Sequence, residues 1–249
     1  MASPTSRTQQ TGHDFTCYEK NQTFNPLVSY LHTTRYKHLI KLFTELSAKN
    51  PSRTLRVVDI GCAHAKAFHV LNSRFNIDYT GIDVDQTLLS LAKERYAGHK
   101  NFKIINDSIS NHYDQFQNAD VIIALEALEH IPEDIVVRVI EQIAAARPEA
   151  FMCSVPNEVG PIIWLKNIGS LLTGYMRHKE YKWMETLHAG LFNLDKVETH
   201  GIGHKGFDWR WLAQTIRHNM RITKIYTNPF DWLPKTFSFS IIFICLRKP

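Results

Sequence analysis

The chain has 249 residues, 44% hydrophobic and 21% charged, which is enough for one sizeable core and too apolar for wholesale disorder. Its 29 Lys and Arg against 24 Asp and Glu give a net charge of +5, a mild bias toward anionic partners with no long basic run to mark a nucleic-acid binder. The N-terminal MASPTSRTQQTGHDFT lacks the apolar core of a secretory signal, and the longest apolar run, Phe237 to Leu246, is about half a membrane span.

Residues 1–15 are polar and predict a disordered tail, leaving 16–249 as a single domain. Pro26 to Lys49 carries Leu27, Leu31, Leu39, Leu42, Phe43 and Leu46 at mostly helical spacing and predicts one or two helices ending near Asn50-Pro51. From Leu55 the pattern turns to alternation. Strands are expected at 55–60, 79–84, 102–105, 120–125 and 150–155, with helices at 65–74, 86–96 and 133–146 between them. Near-continuous apolar strands separated by amphipathic helices mean a parallel α/β sheet covered on both faces. Arg221 to Tyr226 and Phe237 to Leu246 predict a terminal antiparallel hairpin, and 157–203, rich in Trp, Tyr, Leu and His, an inserted helical lid.

Four cysteines, Cys17, Cys62, Cys153 and Cys245, are far apart with no CxxC pair, as in a reduced, cytoplasmic protein. Thirteen histidines raise the question of metal or acid–base roles. Three strand ends carry the chemistry. Val57-Val58-Asp59-Ile60-Gly61-Cys62-Ala63 is a strand that breaks at a glycine, where backbone can approach a ligand without a Cβ in the way. Gly81-Ile82-Asp83-Val84-Asp85 ends the next strand, where a carboxylate suits the two hydroxyls of a ribose. Asn106-Asp107-Ser108 ends the third, where Asp107 suits an adenine amino group.

Over Val57 to Val155 the pieces V-V-D-I-G, G-I-D-V-D, I-N-D-S and D-V-I-I-A-L-E resemble the class I S-adenosylmethionine-dependent methyltransferases. The resemblance implies a Rossmann-like seven-stranded sheet whose last strand is inserted antiparallel. It implies S-adenosylmethionine bound by Asp59, Gly61, Ala63, Asp83, Val84, Asp107, Ser108, Leu125 and Glu126. One departure stands out: the family's G-x-G-x-G loop is here Gly61-Cys62-Ala63-His64-Ala65.

The fourth strand ends in Leu125-Glu126-Ala127-Leu128-Glu129-His130. Two carboxylates and an imidazole are costly at an apolar strand end unless paired, solvated or metal-bound. The stretch is similar to the E-x-x-E-H metal site of the small-RNA 2′-O-methyltransferases and the ubiquinone-biosynthesis O-methyltransferases. That likeness implies Mg or Mn on Glu126, Glu129 and His130. The alternative comes from metal-free members, where the first Glu meets an ammonium group and the His caps a turn. In Gly203-His204-Lys205-Gly206-Phe207-Asp208, His204 is a candidate general base or fourth ligand, with His188 and His200 as rivals, and Asp208 an N-cap. Glu126, His130 and His204 are thus the candidate catalytic residues.

These features favour O-methylation of a small-molecule, lipid or glycan hydroxyl, with peripheral membrane contact as one setting. A metal-dependent RNA 2′-O-methyltransferase is the second reading, and a non-catalytic binding or scaffold protein of the same fold the third. In the lid, Trp164, Tyr181 and Trp183 are the largest apolar surfaces. They are expected either to cover the acceptor or to pack as core.

Overall fold

The computed structural model describes residues 26–173, 181–198 and 204–247. The expected tail, Cys17 and His200 lie outside the described residues. In chain order the elements are α1 (Pro26–Ser47), β1 (Leu55–Ile60), α2 (Lys66–Asn72), β2 (Ile77–Asp83), α3 (Gln86–Tyr96), β3 (Phe102–Asn106), β4 (Val121–Leu125) and α4 (Glu133–Ala146). Then follow β5 (Ala150–Pro156), α5 (Ile162–Thr173), α6 (Trp183–Gly190), α7 (Trp209–Asn219), β6 (Lys224–Asn228) and β7 (Ser240–Leu246).

The seven strands order as β3-β2-β1-β4-β5-β7-β6. The first five run parallel, and β7 inserts antiparallel between β5 and β6. This is the seven-stranded Rossmann-like arrangement that the motifs implied. The central strands are apolar on both sides because both faces are covered. On one face Leu39 and Phe43 of α1, Phe68 and Leu71 of α2 and Leu89 of α3 pack together. On the other, Val136, Ile140 and Ile143 of α4 meet Leu212 and Ile216 of α7. The described part of the segment expected to form a lid has a small core of its own: Ile162, Ile163, Tyr181, Ala189 and Val197.

The departures from the expected boundaries have local causes. The helix expected from residue 65 begins at Lys66, because Ala65 is left-handed with φ 57° and cannot join an α-helix. The last hairpin starts at Lys224 rather than Arg221. There Thr223 turns both its N–H (2.8 Å) and its hydroxyl (2.9 Å) onto the Ile244 carbonyl. Helix α6 falls inside the lid, where the sequence reading drew no separate helix. Asp85 and Asp208 accept backbone N–H bonds at the starts of α3 and α7, so both are structural caps.

Candidate functional site

The carboxyl ends of β1, β2 and β3 form one rim. Gly61 has φ +68°, and a Cβ there would come within 2.4 Å of Ala127 Cβ, so only glycine fits where the β1 loop passes the end of β4. The next two turns of the loop make the same demand of residues that carry a Cβ: Ala63 has φ 48° and Ala65 φ 57°. The alanines therefore hold the path that glycines ordinarily take, at a conformational cost. Asp83 fixes that path. Its Oδ2 accepts from Ala63 N at 2.8 Å and its Oδ1 from Asp85 N at 2.9 Å. Beside it the Val84 side chain is exposed, an apolar surface against which a flat ring can lie.

Asp107 is anchored. Its Oδ1 accepts from Ser108 N (2.7 Å) and Asn111 Nδ2 (3.1 Å), and its Oδ2 lies 3.0 Å from His112 Nε2. The Ser108 bond, with help from His112 and Asn111, holds this carboxyl below its ordinary value. Ser108 caps a short turn through Ser110 N. Asp59, 3% exposed near the end of β1, has its carboxylate receiving the Tyr79 hydroxyl at 2.5 Å.

At the end of β4 the chain bends sharply. Glu126 has φ 55°, and its N–H donates to Ser154 O at 2.9 Å. Leu125 is half-buried on the strand's last position. A short turn over Leu128–His130 then presents Glu129 and His130. Glu129 is fully buried, and neither of its oxygens has a hydrogen-bond partner in another described residue. Its Oε1 lies 3.6 Å from His204 Nδ1 and 4.0 Å from His130 Nε2, and the two imidazoles meet edge to face with centroids 4.7 Å apart. One donor atom from each of Glu129, His130 and His204 falls within 4.8 Å of the others.

Burial, and then the neighbouring Glu126, push Glu129 well above the usual carboxylate range, while burial holds His130 below the usual imidazole value. A neutral imidazole has a free nitrogen lone pair for a proton or a cation. Glu158, fully buried at the end of β5, adds a third negative charge that Glu129 feels. A buried carboxylate without a bonding partner, faced by two imidazoles, is a donor set that fits a divalent cation.

Glu129, His130 and His204 are grouped, and Glu126 stands beside them, close enough to act on Glu129 and His130, with Arg35 Nη1 of α1 3.5 Å from its Oε1. Arg35 was missed by sequence reasoning, since nothing in α1 alone shows which of its cations reaches the sheet edge. His188, the rival of His204, lies on α6 and is not among the three grouped residues.

Comparison with known proteins agrees with this fold. A methyltransferase domain model matches residues 57–147. A small RNA 2′-O-methyltransferase of Drosophila melanogaster is 23% identical over 191 residues, which is 69% of this chain and 47% of that protein, so the chain spans about half of this relative. Among solved structures, the methyltransferase domain of bacterial CtHen1-C superposes with a TM-score of 0.59 at 14% identity, covering 88% of this chain and 100% of that one. Magnesium protoporphyrin IX methyltransferase from Synechocystis, solved with bound SAH, gives 0.59 at 14% identity over 96% of each chain. The CurJ carbon methyltransferase gives 0.61 at 13% identity, covering 100% of this chain and 62% of that one. At such identities these likenesses establish the fold.

Proposed function

We propose that the chain acts as a class I S-adenosylmethionine-dependent methyltransferase, as its methyltransferase domain over residues 57–147 and its fold support, and that it methylates a hydroxyl oxygen held at Glu129, His130 and His204. The observation that carries this reading is the buried, unbonded Glu129 carboxylate facing two imidazoles. Such a cluster has no use in burying a core and a clear one in handling a hydroxyl proton.

The cofactor supplies an electrophilic methyl group on a sulfonium. The Gly61 loop and Val84 offer room and an apolar face for its nucleoside, and Asp83 offers a carboxylate at the β2 end where a ribose would lie. Methyl transfer is an in-line displacement, so the acceptor oxygen must be held close and aligned. His204 or His130 accepts the hydroxyl proton as general base. Where Mg or Mn is bound, Glu129, His130 and His204 are its ligands, and its contribution is to lower the hydroxyl's pKa and orient it.

The acceptor in this reading is a small-molecule, lipid or glycan hydroxyl. A second reading, the 2′-hydroxyl at an RNA terminus, is favoured by the same cluster together with the small-RNA relative. Among the described residues no helix is long and apolar enough to cross a membrane. Cys62, Cys153 and Cys245 are all free and buried, which fits a reducing, cytoplasmic setting.

The test is calorimetric titration with S-adenosylmethionine, Mn²⁺ titration, and methylation assays on lipid-linked glycans, small phenols and a short RNA. His204→Ala and Glu129→Gln should keep cofactor binding and lose both Mn²⁺ binding and turnover. A wild-type Mn²⁺ affinity and turnover in both variants would remove the cluster from the reaction. Turnover on RNA alone would decide for the second reading.

A further inference from the structure

Beside the reacting cluster lies a second group of buried charges that the proposed chemistry does not use. Lys205 Nζ lies 2.9 Å from Glu185 Oε1, with side chains 5% and 7% exposed. Glu185 is also held by backbone: its Oε2 accepts from Lys182 N at 2.7 Å and its Oε1 from Glu198 N at 3.1 Å. Tyr181 completes the group. Its hydroxyl donates to Glu158 Oε2 at 3.1 Å and accepts from Gly206 N at 3.1 Å, and Lys205 Nζ stands 5.6 Å from its ring centroid. Glu158 in turn binds Lys166 Nζ of α5 at 3.1 Å.

Burying a lysine is costly, and for stability alone an apolar pair of similar volume does as well or better. What the ion pair adds is a fixed register between two pieces of chain. Those pieces are α6 of the lid and the turn His204–Phe207, which closes with Phe207 N donating to His204 O at 3.2 Å. Lys205 is tied to α6 on one side of this turn and Gly206 to Tyr181 on the next residue, so the imidazole that precedes them has its backbone fastened.

We infer that the buried Lys205–Glu185 pair positions the His204 imidazole against Glu129, and that the lid thereby sets the geometry of the reacting cluster. The inference rests on the proposed role of His204. Lys205 and Glu185 touch neither the acceptor nor the cofactor in this account; they act through the turn.

The experiment uses the full chain with Lys205→Met, Lys205→Arg and the apolar double variant Glu185→Leu/Lys205→Met, which keeps the volume without the charges. Each is read by thermal melting, calorimetry with S-adenosylhomocysteine, Mn²⁺ binding by paramagnetic resonance, and long-range ¹⁵N–¹H spectra of the His204 ring, assigned with His204→Gln. Lys205→Met should fold, keep its S-adenosylhomocysteine affinity, shift the His204 ring signals and weaken Mn²⁺ binding about tenfold or more. Lys205→Arg should restore most of the affinity. The double variant should melt below wild type, because Lys182 N and Glu198 N lose the Glu185 carboxylate as their acceptor, and should still show displaced His204 signals. Unchanged ring signals and Mn²⁺ affinity in a folded Lys205→Met or double variant would overturn the inference. If wild type binds no Mn²⁺ but the ring signals still move, the metal reading fails and the positioning role stands. If His204→Ala leaves Mn²⁺ binding intact, His204 is no ligand, whatever the pair does to its ring.

Discussion

Arg35 reaches from α1 to Glu126 at the end of β4, with Nη1 3.5 Å from Oε1 and the two side chains only 10% and 19% exposed. The pair sits next to the place where Gly61 and Ala127 make their closest approach. A cation and an anion side by side at this edge complement a zwitterion, and the methionine end of the cofactor carries one ammonium and one carboxylate. Arg35→Met is therefore expected to weaken S-adenosylmethionine binding by about 1.5–3 kcal/mol, one charged hydrogen bond. Arg35→Lys should fall between, since lysine keeps the charge and loses the planar fork. Calorimetry checks both. Wild-type affinity in a folded Arg35→Met protein would confine the pair to holding α1 on the sheet.

Asp59 should leave a mark on the pH dependence of stability. Burial pushes its carboxyl up to about 7, against the Tyr79 bond that favours the charged form. Between an unfolded value near 3.8 and that folded value, the native state binds the extra proton, so stability falls as pH rises through this window. At about 1.4 kcal/mol for each pH unit, the whole effect is about 4 kcal/mol. Asp59→Asn cannot ionise and still accepts the Tyr79 hydroxyl. Its advantage over wild type in urea unfolding should grow from pH 4 to pH 7 and then level. A difference that stays flat with pH would mean that Asp59 titrates like an ordinary surface carboxyl.

Ala63 and Ala65 occupy left-handed backbone, which is costly for any residue with a Cβ. Replacing either by glycine removes that strain, partly offset by glycine's greater freedom in the unfolded chain. Each change should stabilise by up to about 1 kcal/mol. Cofactor affinity should hold or rise, because the Asp83 bond to residue 63 is to backbone and survives. Chemical denaturation checks this, and a loss of stability on either substitution would mean that the loop takes another path in solution.

Much of this was legible before the structure. The parallel strands announced themselves as short apolar runs, since a strand covered on both faces has no polar positions to spare. Glycine at 61 and carboxylates at 83 and 107 marked the rim because each ends a strand. What stayed hidden depends on three-dimensional neighbours. Nothing local to α1 singles out Arg35, and nothing local to β1 shows that Tyr79 bonds Asp59. The E-x-x-E-H spacing put Glu126 and Glu129 side by side, but it could not show that Arg35 of α1 stands 3.5 Å from Glu126. His204 was marked by its glycine-flanked loop and its place just before the last helix, 74 positions beyond His130, and the fold brings the two rings to within 4.7 Å.

The lid aromatics divide into two kinds, and the division can be tested. Tyr181 is 5% exposed and is bonded to Glu158 and Gly206, whereas Trp183 is 77% exposed. Trp164 lies between them, with Nε1 donating to Thr186 O at 3.1 Å and its ring filling the space beside Gly190. Trp183 is therefore not core, and Trp183→Ala should shift stability by no more than about 0.5 kcal/mol, as surface changes do. If the lid covers the acceptor, as its exposed apolar side chains and its place beyond the β5 end suggest, the same variant should lose acceptor use and keep cofactor affinity. Tyr181→Phe should instead lower stability. Removing its hydroxyl takes the acceptor from the Gly206 N–H and one donor from Glu158, which keeps Lys166, a cost of about 1–3 kcal/mol. A melt beside a cofactor titration separates the two. A large drop in melting temperature for Trp183→Ala would put that ring in a packed interior, and lost S-adenosylmethionine binding in a folded variant would move the lid from the acceptor to the cofactor.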